Sequence, residues 1–429
     1  MKQACVLPTA AHAFALLYLP LAAQSNAAKG EGTEIATSGF CPPRNDMVMA
    51  IQKKGGVGLA RIGIYGGTFS PVHVGHVQGA KYALKALRLD MLFMIPTGVS
   101  PHKALPEGAP TPRQRLEMLR IALQNEENIQ ASDIELARGG VSYTYLTLTQ
   151  LRQQYPEDEF FLIMGDDMFL SVDRWKEPRI IYKEAALAVL NRGGDWKAVE
   201  EKAAELRQQG VRVELLENPV TAISSTQLRR LLAFRCAGPF LPEGVAAYIA
   251  EYGLYDRDYK NLSMEELEEA VISLLNPNRV KHTLGCRDTA AELARIWGAD
   301  ETDAARAGML HDVTKALDGQ LQLTLCREYG VELDQFSSKN PKTPHALTGS
   351  LVAERIFGEN KAVVDAIASH TTGKAGMNTL EKIIYVADYM EPCRDFPGVE
   401  ELRHLAHTDL TAALKLGLEM TLAVLRSQG

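Results

Sequence analysis

Cysteine is scarce in this chain. Six stand in 429 residues, at positions 5, 41, 236, 286, 326 and 393, and no two are spaced as C-x-x-C. That spacing excludes zinc ribbons, thioredoxin-like sites and a disulfide scaffold. It fits free thiols in a reducing cytoplasm, where the protein is expected to work. An excess of one charge is also lacking, since 46 Lys+Arg stand against 53 Asp+Glu for a formal net charge of −7. Without a basic, aromatic-interleaved patch, nucleic acid is not an expected partner. No apolar run is long enough to span a bilayer, so no membrane partner is expected either. Low-complexity and collagen-like repeats are missing. What remains is an ordinary globular composition, 46% hydrophobic and 23% charged. At roughly 100–200 residues per domain the length suggests two or three domains.

The first stretch stands apart. One Lys precedes an apolar run from Ala10 to Ala23, broken by His12 and Pro20, which resembles a signal peptide. Residues 29–57 are rich in Gly, Lys and small polar residues, a composition that predicts disorder. Residues 1–57 are therefore expected to be a disordered tail or an over-extended start, with the functional chain beginning near Met47 or Met49.

From Arg61 onward short apolar runs alternate with helical spacing. RIGIYGG, DMLFMIP, EFFLIMG, ALAVLNR and VRVELLE read as strands, and HVGHVQGAKYALKALRL and TPRQRLEMLRIALQ as helices. Strands alternating with helices predict a parallel α/β sheet. Beyond Asp258 the character changes. SMEELEEAVISLL opens with Ser263 as N-cap and Glu266 three residues on, a capping box. Helical stretches follow with no convincing strand, which predicts an all-α half. The expected domains are 58–257 and 264–429, joined by the polar linker 256–263.

The most informative segment is Ile64-Tyr65-Gly66-Gly67-Thr68-Phe69-Ser70-Pro71-Val72-His73-Val74-Gly75-His76, between a strand and a helix. Two glycines let a phosphate approach the backbone, and the following helix aims free N–H groups and its dipole at that anion. His73 and His76 lie three apart, so one helical turn brings both to the same site. Two imidazoles can donate to a phosphate without permanent charge.

This segment resembles the H-x-G-H nucleotidyltransferases, and later markers narrow the resemblance to bacterial nicotinate-nucleotide adenylyltransferase. They are Pro96-Thr97-Gly98 with His102-Lys103, Ser142-Tyr143-Thr144, Gly165-Asp166-Asp167 with Trp175, and Ile223-Ser224-Ser225-Thr226-Gln227-Leu228-Arg229. The resemblance spans 61–255 and implies a Rossmann-like domain that joins nicotinate mononucleotide to the AMP part of ATP and releases pyrophosphate. It implies that Gly66, Gly67, Thr68 and Phe69 form the substrate loop. His73 and His76 would contact the ATP phosphates, and Lys103 and Arg229 would neutralise them. Ser225 and Thr226 would offer hydroxyl and backbone donors. Tyr143 and Thr144 would hold the pyridine carboxylate, Trp175 would stack on its ring, and Asp167 would orient a ribose or the acceptor loop. Mg²⁺ would arrive with ATP, since no protein-only magnesium cage is visible. Position 70 is Ser where the family more often has Asp, which puts any loop-ordering role of that carboxylate in doubt. Pantetheine-phosphate adenylyltransferase and glycerol-phosphate cytidylyltransferase share the first motif, but the S-Y-T and G-x-D…W segments favour the nicotinate enzyme.

A second constellation lies in the helical half: His282, His311, Asp312, His345, His370 and Asp388. An adjacent His-Asp on a helix, between an upstream His and a downstream Asp, places side chains about 100° apart against neighbouring edges of one site. A carboxylate such as Asp312 can bridge two cations, and two metals clamp the oxygens of a phosphoester. His and Asp ligands suit iron, manganese or zinc better than magnesium alone. Residues 275–429 resemble the HD-domain phosphohydrolases typified by bacterial symmetrical diadenosine-tetraphosphate hydrolase, through HTLG, HDVTK, HTTGKAGM and DYMEPCRDFPGVEELR. That resemblance implies an all-α HD domain with a di-iron-type centre, a dinucleoside polyphosphate as substrate, and Lys315 and Arg394 as phosphate contacts. The reading is a bifunctional enzyme. The competing readings make the helical half a non-catalytic nucleotide-binding regulator, or a hydrolase of another nucleotide phosphoester.

Overall fold

The computed structural model of the protein describes residues 59–101, 105–106, 108–221, 223–332 and 344–427. The expected tail over 1–57 lies outside them, and so do His102 and Lys103. The chain divides into two compact units. One holds the residues up to Ser225 with Gly238–Tyr255; the other holds Thr226–Ala237 with Asp256–Gly429.

The first unit is built on six parallel strands: β1 (Arg61–Gly67), β2 (Met91–Pro96), β3 (Ile129–Ala131), β4 (Glu159–Gly165), β5 (Ala185–Leu190) and β6 (Val213–Leu216). Their order across the sheet is β3-β2-β1-β4-β5-β6, that of a doubly wound dinucleotide-binding fold. Strands covered by helices on both faces read as continuous apolar runs. In β5 every residue is buried, and Ile62 and Ile64 of β1 pair in register with Phe160 and Leu162 of β4. Five strands follow the expected segments. The sixth, β3, is three residues at the sheet edge with only Ile129 buried, too short to leave a pattern.

The chain leaves β1 toward β2 and β3, then crosses back to β4. The direction of winding therefore reverses between β1 and β4. Ligands of open α/β sheets bind at that switch point, beyond the carboxyl ends of the strands. The helix Val74–Ala86 follows β1 and buries His76, Gly79, Ala80 and Ala83, a stripe at the helical period. Gly79 is required by close approach, since a Cβ there would lie 3.0 Å from Leu190. A helix the sequence did not announce, Thr144–Gln154, starts directly after Tyr143. Its sequence TYLTLTQLRQQ is rich in residues that favour strands, and burial of Thr147, Leu148 and Leu151 decides it as a helix.

Among its described residues the second unit has helices and no strand, as expected. Ser263 Oγ accepts from the Glu266 N–H and Glu266 Oε2 from the Ser263 N–H, closing the expected capping box at 3.2 and 2.8 Å. The helix Val280–Trp297 begins earlier than its apolar pattern and carries His282. One expectation changes. His311 and Asp312 were read as mid-helix, but the helix Glu301–Leu310 ends before them. The chain tightens there, with Val313 N–H bonding Leu310 O and Lys315 N–H bonding Asp312 O. The helix Ser225–Ala233, assigned by sequence to the first domain, largely groups with the second unit. The reason is Arg230, whose buried guanidinium donates to the carbonyls of Leu274 and Leu275 at 2.7 and 3.1 Å.

Candidate active sites

The first site sits at the switch point. His73 caps the helix Val74–Ala86 from just outside it, and His76 lies in its first turn. Both rings are buried and stack with centroids 3.5 Å apart. The His73 main-chain N–H donates to His76 Nδ1 at 3.2 Å. That leaves the neutral His76 proton on Nε2. Burial, then the Arg192 charge, drives the His73 pKa down to about 3. Burial, then His73 and Arg192, pushes His76 well below its ordinary value. Both imidazoles are therefore neutral at neutral pH. They line a cavity of about 510 Å³ with Tyr65, Asn191, Arg192 and Asn218.

Gly66 has open space where a Cβ would project, while a Cβ on Gly67 would meet the Phe69 ring at 3.0 Å. So Gly66 leaves room for a ligand, and Gly67 is required by packing. Phe69 itself takes a left-handed backbone, φ 45°, and its ring abuts His76 edge-on. Ser70 Oγ lies 2.9 Å from the Tyr255 hydroxyl. Ser225 Oγ donates to Pro71 O. Thr226 and Arg229 belong to the second unit, where Arg229 donates to Thr226 Oγ1 at 3.2 Å.

Tyr143 and Thr144 stand at the start of the helix Thr144–Gln154, whose first N–H groups have no intrahelical partner. Lys176 Nζ lies 4.6 Å over the Tyr143 ring. Trp175, next to Lys176, is half-buried and packs against the sheet core. Asp167 is exposed, 4.0 Å from Arg192.

The second site is a cluster of ring nitrogens around two carboxylates. His282 Nε2 lies 3.3 Å from His311 Nε2 and 3.2 Å from Asp388 Oδ1. Asp312 is 1% exposed. Its Oδ2 faces His282 and His311 at 3.6 and 3.4 Å, and its Oδ1 faces His345 and His370 at 3.5 and 3.8 Å. Three of the histidines are oriented from behind. Nδ1 of His282 meets Glu391 Oε1, that of His311 meets Gly308 O, and that of His370 meets Ile367 O. Each Nδ1 therefore donates, and each Nε2 turns its other face to the cluster. Asp312 Oδ1 is buried and lies 3.3 Å from the Lys315 ammonium. Converging imidazole nitrogens and two carboxylates fit a divalent cation. Two ligand groups meet the spacing for one, His282-Cys286-His311-Asp388 and His311-Asp312-His370. Lys315 Nζ lies 3.3 Å from Asp312 Oδ1 and 3.2 Å from His345 Nε2, inside the cluster. Arg394 donates to both the side chain and the carbonyl of Asp388.

Residues 64–231 match the cytidylyltransferase-like family profile, and residues 279–393 match that of the HD domain. Over 200 residues the chain is 39% identical to the probable nicotinate-nucleotide adenylyltransferase of Rhodopirellula baltica, an alignment covering 45% of this chain and 92% of that relative. The chain belongs to the nicotinate-nucleotide adenylyltransferase family. The probable nicotinate-nucleotide adenylyltransferase of Neisseria meningitidis is 32% identical over 205 residues, 46% of this chain and 100% of its own. Among solved structures, the Plasmodium falciparum nicotinic acid mononucleotide adenylyltransferase complexed with NaAD is 20% identical, covers 46% of this chain and 98% of its own, and has a TM-score of 0.39. A predicted HD superfamily hydrolase involved in NAD metabolism from Clostridium acetobutylicum is 38% identical, covers 39% of this chain and 89% of its own, and has a TM-score of 0.38. Residues 279–393 of this member of the adenylyltransferase family match the HD domain.

The structure adds residues that sequence reasoning missed. In the adenylyltransferase half, Arg192 donates to the Tyr65 hydroxyl at 2.8 Å and faces the histidine pair. Buried Asp166 accepts from the N–H groups of Arg192 and Gly194 and so sets that loop. The signal was available, because Arg192 follows β5 at the carboxyl end of the sheet. Arg115, 1% exposed, bridges the loops after β1 and β2 by donating to Thr68 O and Thr97 O, both at 2.6 Å. In the HD domain, Arg279 pairs with Asp312, Cys286 lies four residues after His282 on the same helix face, and Thr371 Oγ1 contacts Nε2 of His345 and His370 at 3.0 and 3.2 Å. Among the described residues no helix is long and apolar enough to cross a membrane.

Proposed function

We propose that the N-terminal half transfers the adenylyl group of ATP to nicotinate mononucleotide, giving nicotinate adenine dinucleotide and pyrophosphate for NAD biosynthesis in the cytoplasm. The observation that carries this reading is the neutral, stacked His73–His76 pair at the switch point, with Nε2–H of His76 left to donate. The nucleophile is a phosphate oxygen already anionic at neutral pH, so no general base is required. It attacks the α-phosphorus, and the bond to the bridging oxygen breaks to release pyrophosphate. The protein's task is positioning and charge stabilisation. His76 donates to an oxygen of the transferring phosphoryl group, and Arg192 supplies permanent positive charge beside it. Lys103, Ser225, Thr226 and Arg229 serve the triphosphate in this reading. Tyr143 and Thr144 receive the pyridine carboxylate at a helix N-terminus, with Trp175 against the ring. Bound Mg²⁺ would neutralise phosphate charge. The test is release of pyrophosphate from ATP and nicotinate mononucleotide, and its loss in His76→Ala. A full rate in that variant overturns the assignment.

For the HD domain we propose hydrolysis of diadenosine tetraphosphate to two ADP. The supporting observation is that each oxygen of Asp312 addresses a different pair of histidines, the placement of a carboxylate shared by two cations. His282, His311, Asp312, His345, His370 and Asp388 would hold them, iron being favoured over manganese or zinc. Such cations acidify a bound water and neutralise phosphate oxygens. Lys315 and Arg394, which contact Asp312 and Asp388, serve the phosphates in this reading. Incubating the protein with diadenosine tetraphosphate and Fe²⁺ under anaerobic conditions should yield two ADP, lost in His311→Ala. ATP plus AMP would mean attack at a different phosphorus. No turnover with any divalent metal would make the domain a nucleotide-binding regulator.

A further inference from the structure

Glu391 directly follows the helix Thr379–Met390 and is 1% exposed. A buried carboxylate is costly unless its oxygens are matched by donors. Here each oxygen has one. Oε1 lies 3.0 Å from His282 Nδ1, and Oε2 accepts from the Cys393 N–H at 2.7 Å. On the opposite side of the same imidazole, Nε2 faces Asp388, Asp312 and His311. The helix Val280–Trp297 makes room for this arrangement at one position. A Cβ on Gly285, three residues after His282, would lie 2.6 Å from Glu391 Oε2. A glycine inside an 18-residue helix forgoes helix propensity, and the carboxylate is what it accommodates.

We propose that Glu391 is a positioning residue of the HD metal site. Its carboxylate accepts the Nδ1 proton of His282, fixes the tautomer and the ring plane, and makes Nε2 the stronger ligand. This rests on reading the cluster as a metal centre. Orienting partners of ligating histidines commonly contribute about 10–100-fold in metal affinity. An amide cannot replace this group. Glutamine has a single acceptor oxygen, while His282 Nδ1–H and Cys393 N–H require two.

The test uses the full chain, stripped of metal and titrated with Co²⁺, following both affinity and the visible ligand-field bands. Glu391→Gln should bind about 10–100-fold more weakly, with altered bands. Gly285→Ala is the second variant. It touches no ligand and pushes only the far end of the Glu391 side chain, so it should weaken binding in the same direction even if Glu391→Gln destabilises the helical half. Pyrophosphate release by the N-terminal half should stay at the wild-type level in both variants. Wild-type affinity and spectrum in both variants would overturn the role of Glu391 while leaving the metal centre standing. A wild-type chain that binds no divalent cation would overturn the metal centre itself, and this proposal with it.

Discussion

The main-chain N–H of His73 donates to Nδ1 of His76 across 3.2 Å, and that single hydrogen bond decides which nitrogen of His76 carries its proton. The donor is then Nε2–H, on a residue that lines the cavity together with Arg192. Nitrogen-15 spectra should show His76 as the Nε2–H tautomer. Neither His73 nor His76 should titrate near 6.5, because burial and Arg192 hold His73 at about 3 and His76 well below its ordinary value. A histidine in this pair that protonates between pH 6 and 7 in the free protein would contradict the neutral-donor mechanism.

His76→Ala removes a donor aimed at the transferring phosphoryl group. Loss of one such preorganised donor typically lowers kcat by about 10²–10³. The expectation is that loss in pyrophosphate release, with the far-ultraviolet spectrum unchanged.

Arg192→Met tests a residue that sequence reasoning missed. A charge-assisted hydrogen bond contributes about 1.5–3 kcal/mol, so kcat/KM for ATP should fall roughly 10–100-fold. The same change removes one of the two causes that depress His73. Its pKa should rise from about 3, partway only, because burial is the larger cause and remains. Steady-state kinetics and the His73 titration report the two effects separately.

How much was legible in the sequence follows from how each group acts. Buried parallel strands are continuous apolar runs, so β1, β2, β4, β5 and β6 announced themselves, while β3 was too short. His73 and His76 were legible because a glycine pair, a strand and a helix start frame them. The roles of Asp166, Arg115, Arg192 and Glu391 were not read, because each works through main-chain or single side-chain hydrogen bonds to partners far away in sequence, which leave no periodic trace. His311–Asp312 was found, but its setting was misjudged, since helical periodicity runs through Leu310 and only the hydrogen bonds reveal the tightened turn.

Asp312→Asn retains the shape of the side chain but removes its charge and one acceptor oxygen. Oδ1 and Oδ2 face different histidine pairs, so the substitution should cost more than one ligand bond. The metal content measured by elemental analysis should fall from two per chain to one or none, with hydrolysis lost. Two metals retained in Asp312→Asn would mean that this carboxylate does not bridge.

The two halves should respond to pH in opposite ways. His73 has a folded pKa near 3, below the value of 6.5 it has when exposed. Between those values the unfolded chain binds the extra proton, so the first unit loses stability as pH falls below 6.5. His282 is the reverse. Burial would lower it, but hydrogen bonds to Asp312, Asp388 and Glu391 outweigh that and raise it to about 9. In the metal-free protein its contribution is complete below 6.5 and lost as pH rises to 9. A cation at Nε2 must displace that proton, so apparent metal affinity should rise about tenfold per pH unit until His282 is neutral, and then level off. Melting curves of the stripped protein at pH 5 to 9, with Co²⁺ titrations over the same range, check both signs. A metal affinity independent of pH would place the cation away from His282.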